Sequence, residues 1–337
     1  MYQMETVSNG RKRVVILGVG YWGFNYFREM VMQADQSWEL VATVDPKIES
    51  PWSFVMNKKD ELCHHFARLE DVPYDFHAAI VATPAHTHVD VTRALLARGV
   101  KHILLEKPAA TCTADVTALA NMVADAGAVI TVGHTYMWNR PLQYMLQAST
   151  LDVGDLLYVY TRRTNLGPVR TDVPVHWDLA THDLSILQRL MQFHDLSFTR
   201  VSHAAWGNSA TRGTVFFTVE YGNADGRRVR AHLHVSWEEP HKERLFSIVG
   251  KNGKLVFDEM ASPDLYTRYD TSGSSDCVAL KNISPPLREQ LRHWLFAGHV
   301  VQSAPHGCSI RDAANITKIL ECADELLALN STYDPND

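Results

Sequence analysis

The sequence predicts two domains. Residues 1–134 read as an α/β domain with a doubly wound parallel sheet, and residues 135–337 as an α+β domain with a large, mainly antiparallel open sheet. Three observations carry this reading. Up to about residue 134, short apolar runs alternate with helix-length amphipathic stretches, at the lengths of βαβ units. From about residue 155, strand-like runs follow one another directly, with turn residues between them. A chain of 337 residues also exceeds the size at which a single core usually stops growing.

The elements follow in order. Residues 13–17 (RVVIL) are a buried parallel strand. Gly18-Val-Gly-Tyr-Trp-Gly23 comes next, and residues 24–36 continue as a helix. A second strand, 40–44, ends in Asp45-Pro46, and a third, 78–82 (AAIVA), ends at Thr83-Pro84. Residues 88–98 form a helix with apolar Val91, Ala94, Leu95 and Ala97, and Gly99 is its stop. The strand 101–105 (KHILL) runs into Glu106-Lys107-Pro108. A helix over 113–126, capped by Thr113 or Thr111, and a strand over 129–132 complete the alternation. In the second half, strands are expected at 156–161, 200–206, 214–221, 228–237, 245–249 and 254–257. A helix at about 179–193 interrupts them, and an amphipathic helix over 313–329 closes the chain. Residues 229–237 alternate polar and apolar, as a sheet with one wet face requires. Neither an internal repeat nor a low-complexity tract interrupts the pattern.

Composition excludes several classes. With 46% hydrophobic and 21% charged residues, the balance is that of a globular chain. A net charge of −6 supplies no basic field for nucleic acid or an anionic membrane. The five cysteines (Cys63, Cys112, Cys277, Cys308, Cys322) are scattered without CxxC spacing, against a disulfide framework or zinc ribbon and in keeping with a reducing cytosol. The basic residues near the N-terminus precede the apolar run Val14 to Gly20, which enters a glycine turn rather than a cleavage site. No stretch approaches the length of a membrane span. The expected location is therefore cytoplasmic.

The chemistry is expected at three places. The glycine motif sits between a buried strand and a helix, with Asp45 lying 22 residues past Gly23. Gly18 permits the tight turn, Gly20 the approach of a pyrophosphate to the backbone, and Gly23 close helix–strand packing. The helix N-terminus adds amide donors and a positive dipole end. Such a turn points to a dinucleotide, and Asp45 on the adenosine ribose favours NAD, with NADP open because Lys47 stands nearby. The second place is the pair of strand ends Thr83-Pro84 and Glu106-Lys107-Pro108, where Lys107 is suited to neutralise a developing alkoxide. The third is Val175-His-Trp-Asp178-Leu-Ala-Thr-His182-Asp183. At helical spacing Asp178 and His182 share a face, which suits either an oriented general base or a pair that braces the helix. No metal is expected there.

Taken together, the GVGYWG turn, ATPAHTHVDVTRALLARGVKHILLEKP, VGHTYMWNRP and HWDLATHDLSIL resemble the Gfo/Idh/MocA oxidoreductases over nearly the whole chain. The resemblance implies Lys107, Asp178 and His182 as catalytic residues. It implies cofactor contacts at Gly18, Gly20, Tyr21, Trp22, Gly23, Asp45, Thr83, Pro84, His88, Glu106 and Lys107. The stretch Arg163-Thr-Asn165-Leu-Gly-Pro-Val-Arg170 is similar to the branch that oxidises nucleotide-linked sugars, including UDP-N-acetylhexosamines and hexosaminuronates, at C3. It implies Arg163, Asn165, Arg170, Lys107 and His182 as substrate contacts, with the arginines gripping a diphosphate. Residues 172–176 (DVPVH) depart from the glycine-rich turn of some relatives, which bears on the substrate class.

The resulting expectation is an NAD(P)-dependent dehydrogenase of a sugar, assembled as a homodimer or homotetramer. Three alternatives stay open: reduction of a ketosugar in a deoxysugar or aminosugar pathway, oxidation of a free polyol or inositol, and a non-catalytic NAD-binding regulator.

Overall fold

The computed structural model describes residues 11–32, 38–47, 63–297 and 308–330. These divide into two compact units. The first is Met1–Gly133 together with Leu287–Arg311, and the second is His134–Pro286 with Asp312–Asp337. The stretch Leu287–Arg311, expected in the second domain, thus clusters with the first. Among the described residues no helix is long and apolar enough to cross a membrane.

The first unit holds six parallel strands: β1 (Lys12–Leu17), β2 (Trp38–Val44), β3 (His64–Phe66), β4 (Ala78–Val81), β5 (His102–Leu105) and β6 (Val129–Val132), in the order β3-β2-β1-β4-β5-β6. Helices α1 (Tyr21–Met32), α2 (His88–Ala97) and α3 (Thr113–Asp125) connect them. Of the helix expected over 24–36, the last four residues lie outside the described ones. The central strands are apolar on both faces because helices cover both, and Val14, Val15 and Ile16 are wholly buried.

Strand order reverses between β1 and β4, and in such sheets ligands bind beyond the carboxyl ends at that reversal. Register makes the position concrete. Leu17 of β1 pairs with Val44 of β2 and Val81 of β4, Val81 with Leu105 of β5, and Leu105 with Val132 of β6. The next residues along the chain (Gly18, Asp45, Ala82, Glu106 and Gly133) therefore form one row just past the sheet. Backbone bonds hold that row: Gly18 N–H to Val44 O (2.8 Å), Ala82 N–H to Leu17 O (2.8 Å), Glu106 N–H to Val81 O (2.8 Å) and Gly133 N–H to Leu105 O (2.7 Å).

The return segment contributes α6 (Pro286–Ala297), a helix not among those expected. Leu291 and Trp294 are 1% exposed and join the cluster of Ile16, Tyr26, Met30 and Ile80. The Trp294 indole stacks on His102 at 5.0 Å, and His102 Nε2 bonds the Trp294 carbonyl at 2.7 Å.

The second unit is an eight-stranded sheet: β7 (Leu156–Leu166), β8 (Ser197–Trp206), β9 (Thr214–Gly222), β10 (Arg228–Ser236), β11 (Glu238–Gly250), β12 (Gly253–Asp258), β13 (Leu265–Asp270) and β14 (Ser275–Ala279). Its order is β14-β13-β12-β11-β7-β10-β9-β8. Every pairing is antiparallel except β7 with β10, which is parallel. On one face lie α4 (Arg140–Asp152), capped by the Asn139 side chain, and α5 (Val175–Phe193). The closing helix α7 spans Ile310–Asn330.

Candidate functional site

In the first unit the glycine turn is fixed by contacts a side chain would break. Gly18 has φ +83°, and a Cβ there would meet Ala82 O at 2.6 Å. A Cβ on Gly23 would lie 1.8 Å from Gly18 O, so the helix can approach the strand only as glycine. At Gly20 a Cβ would meet nothing within 4 Å. The fold itself therefore does not demand glycine at position 20; open space above the turn is what a pyrophosphate needs. This is the cradle expected of a dinucleotide site, and the residues fit that group. Tyr21 is 73% exposed and packs edge-on against Trp22 at 5.8 Å at the start of α1.

Asp45 braces the turn and stays available. Its Oδ2 accepts from Val19 N–H at 2.7 Å and its Oδ1 from Lys47 N–H at 2.9 Å. The role as a turn cap and the role as a ribose acceptor are thus compatible, because each carboxylate oxygen keeps a further lone pair.

Thr83 and Pro84 lie next in the row, with Thr83 Oγ1 accepting from Thr87 at 2.8 Å. His88 is different from its expected role. It is 1% exposed, with Nε2 at 2.9 Å from Thr83 O and Nδ1 at 3.1 Å from Ala109 O. Burial lowers its pKa, against an upward pull from the two carbonyls. The ring ties the loop after β4 to the loop after β5, so it positions both loops rather than lining the cradle.

Glu106 and Lys107 are 7% and 8% exposed. Glu106 Oε1 accepts from the Tyr26 hydroxyl of α1 at 2.5 Å, and Oε2 from the Lys107 N–H at 3.0 Å. Burial, and then the Glu106 charge, hold the Tyr26 phenol well above its ordinary pKa, so it stays a donor. A Cβ on Gly133 would approach Glu106 Oε1 to 3.0 Å, so glycine there leaves room for the carboxylate. Lys107 therefore follows a carboxylate held at both of its oxygens. The Lys107–Pro108 bond is cis. Tyr26 carries no sequence signal for this role, since it reads as an apolar helix position.

In the second unit α5 presents its first three turns to a dense polar cluster. Asp178 Oδ1 accepts from Arg170 at 3.1 Å and Oδ2 from the Trp237 indole at 3.3 Å. His182 follows one turn later, packing edge-on against Tyr136 at 5.1 Å. Arg170 also forks onto Asp172 at 2.9 and 2.6 Å. His176 and Trp177, on the opposite side, both bond Asp324 of α7 at 2.8 Å. His176 is thereby a structural tie, and no cluster of three or more His, Cys, Asp or Glu suited to a metal occurs among the described residues.

Arg163 is corrected by the structure. Expected as a diphosphate contact, it is 4% exposed and bonds Asp183 Oδ1 at 3.0 and 2.7 Å and the Tyr136 hydroxyl at 2.8 Å. Burial pushes its pKa down, but Asp183 and Tyr136 outweigh that and hold it above its ordinary value. Burial and Glu259, against Arg163, push the Tyr136 hydroxyl up to about 12 while it donates to Glu259 at 2.6 Å. Arg163 is thus the buried cation that sets Tyr136 against His182. Asn165 lies nearby, accepting from Arg244 at 2.7 Å and donating to Gly167 O at 2.7 Å. Of the two arginines, Arg170 alone keeps a partly exposed side chain, at 30%.

The strand order, the glycine turn and Asp45 just past the second strand are those of a Rossmann dinucleotide-binding domain. Residues 12–134 match the Gfo/Idh/MocA family model, described as the oxidoreductase family, NAD-binding Rossmann fold. A curated relative, the UDP-N-acetylglucosamine 3-dehydrogenase of Acidithiobacillus ferrooxidans, is 27% identical over 185 residues. That match spans 52% of this chain and 58% of the relative, little more than half of each. A solved structure of the enzyme of that name from the same organism superposes with a TM-score of 0.79 at 20% identity, covering 95% of this chain and 99% of the other. An inositol dehydrogenase homolog complexed with NAD+ from Azotobacter vinelandii also gives 0.79, at 16% identity over 95% and 96%. At those identities the two structures establish the shared fold.

Proposed function

We propose that the chain is an NAD-dependent dehydrogenase of a nucleotide-linked sugar, acting at the C3 hydroxyl or on the corresponding ketone. The observation that carries this is Lys107: a buried lysine two residues past β5, held by Glu106 in the row that begins with the glycine turn. The family model over residues 12–134 and the name of the curated relative support the reaction class and the sugar.

Gly18, Gly20 and Gly23 hold the pyrophosphate, with Asp45 accepting from the ribose hydroxyls and disfavouring a 2′-phosphate. Tyr21, Trp22, Thr83, Pro84 and Glu106 line the rest of the cofactor path. The bound nicotinamide supplies hydride acceptance in oxidation and hydride donation in reduction. Lys107 stabilises the alkoxide as positive charge placed where negative charge develops. His182 takes the hydroxyl proton, and Asp178, one turn before it, fixes the local charge through Arg170 and Trp237. The active form is a homodimer or homotetramer in the cytoplasm.

The test is steady-state turnover of UDP-N-acetylglucosamine, UDP-N-acetylglucosaminuronate, dTDP-sugars, free sugars and inositol with NAD and with NADP. The product carbon is then read by NMR. Lys107→Ala is expected to lower kcat by about 10²–10³-fold while NAD affinity is retained. His182→Ala is expected to cost about 10²–10⁴-fold in rate, again with NAD bound normally. Equal losses of rate and NAD affinity in Lys107→Ala would remove its assigned role. Unchanged turnover in both variants would remove both residues from the catalytic set, and NAD binding by the parent without turnover of any of these substrates would return the chain to the class of NAD-binding regulators.

A further inference from the structure

The second unit holds a cavity of about 520 Å³ between the loop leading into α5, the end of β8, the turn before β9 and the last turns of α7. Its size falls within the roughly 300–1,000 Å³ of small-molecule sites. One wall is Trp206, and the rim carries Arg170 and Arg212. The cavity's carboxylates are already engaged: Asp172 by Arg170, and Asp324 by His176 and Trp177.

Arg212 stands apart. Its guanidinium lies 5.7 Å from the centroid of the Trp206 ring, and it has no ion pair among the described residues. Its backbone sits in the left-handed region, at φ +52°, where side-chain-bearing residues are uncommon. Asn208 holds it there, accepting from the Arg212 N–H through its carbonyl at 2.9 Å and from Ala210 through Oδ1 at 2.9 Å. Strained residues of this kind cluster at ligand clamps. Arg170, for its part, spends three of its N–H donors on Asp172 and Asp178, and a guanidinium has five.

We infer that this cavity binds the nucleoside diphosphate handle of the substrate, an assignment of ligand that rests on the dehydrogenase reading above. Trp206 offers the planar wall for the base, and Arg212 and Arg170 take the phosphates, because guanidinium forks match phosphate oxygens and also stack on aromatic rings. The cavity also has the right relation to α5. Arg170 and Trp237, both at its wall, bond Asp178, and His182 lies four residues further, about 6 Å along the helix axis. A handle held here extends its sugar along α5 towards His182.

The experiment is calorimetric titration of the full chain, saturated with NAD, using UDP, dTDP, GDP, UMP and uridine. Binding is expected for a nucleoside diphosphate, weakening from UDP to UMP to uridine. Arg212→Glu, at an exposed position that leaves the core intact, is expected to lower diphosphate affinity by about tenfold or more, with the thermal midpoint unchanged. Trp206→Phe should retain most of the affinity and Trp206→Leu should lose it. Diphosphate binding lost in Arg212→Glu, without turnover of any nucleotide sugar, would uphold the site and overturn the dehydrogenase reading. Turnover of a nucleotide sugar with UDP affinity and KM unchanged in Arg212→Glu would do the reverse. No binding of any nucleoside diphosphate by the parent protein would overturn the site.

Discussion

Two glycines of one turn separate architecture from ligand. Gly23→Ala drives a methyl into Gly18 O and is expected to destabilise the fold by about 1–3 kcal/mol or more, read by urea denaturation. Gly20→Ala meets no protein atom and should leave stability within about 0.5 kcal/mol while weakening NAD binding. If Gly20→Ala bound NAD as the parent does, the cradle would lie elsewhere. Arg163 makes a similar point about charge. Arg163→Met leaves Asp183, 1% exposed, without its cation, and should cost about 3–5 kcal/mol. A variant that kept full stability and lost only substrate affinity would restore Arg163 to the substrate. What made Gly18, Gly23 and Asp45 legible in the sequence is that their reasons are local: a turn, a helix start, a strand end. Arg163 misleads because its partners, Asp183 and Tyr136, lie 20 and 27 residues away. Nothing in the string says that a guanidinium beside a glycine-proline loop faces inward.

At the scale of elements, the parallel strands were readable because burial on both faces makes them continuously apolar. The strands at the far edge of the second sheet were not. Half of the residues of Leu265–Asp270 and four of the five in Ser275–Ala279 are exposed, and neither run is continuously apolar, so their hydrogen bonds rather than their hydrophobicity make them strands. Helix α5 begins at Val175 rather than 179 because Pro174 sits in extended backbone directly before it, and a proline can precede a helix but not continue one from before. That earlier start is what puts His176 and Asp178 on the helix at all. On the wet face of the sheet, Glu220 of β9 lies between Arg200 of β8 and Arg230 of β10, each at 2.9 Å. Hydrogen bonds from these two arginines pull its pKa down from 4.5 to about 2. A carboxyl lowered in the folded state stabilises above its unfolded pKa and loses that contribution as pH falls through the folded one. Between about pH 4.5 and 2 the parent should therefore lose stability faster than Glu220→Gln. Parallel acid-denaturation curves for the two would refute this.

For the whole molecule, the sequence announced two architectures but not their boundary. The change from alternating strand and helix to consecutive strands is a pattern, whereas the return of Leu287–Arg311 to the first unit is a packing event. Helix α6 looks like any amphipathic helix, and only Trp294 against His102, with Leu291 in the cluster of Ile16 and Tyr26, shows which core it completes. Residues 1–134 expressed alone should accordingly melt lower than the same segment joined by a short linker to residues 287–311. Equal melting temperatures in calorimetry would mean that α6 adds nothing to that core.

The same return has a consequence in time. A ribosome finishes residue 133 long before it makes Trp294, and 161 residues separate the two, which at about 5–20 residues per second is roughly 8–30 s of synthesis. Throughout that interval the nascent dinucleotide domain has its glycine turn and its sheet but an open flank where α6 belongs. The growing chain must therefore carry an unfinished hydrophobic surface while the whole second sheet is being made, and only a helix in its last sixth seals the beginning.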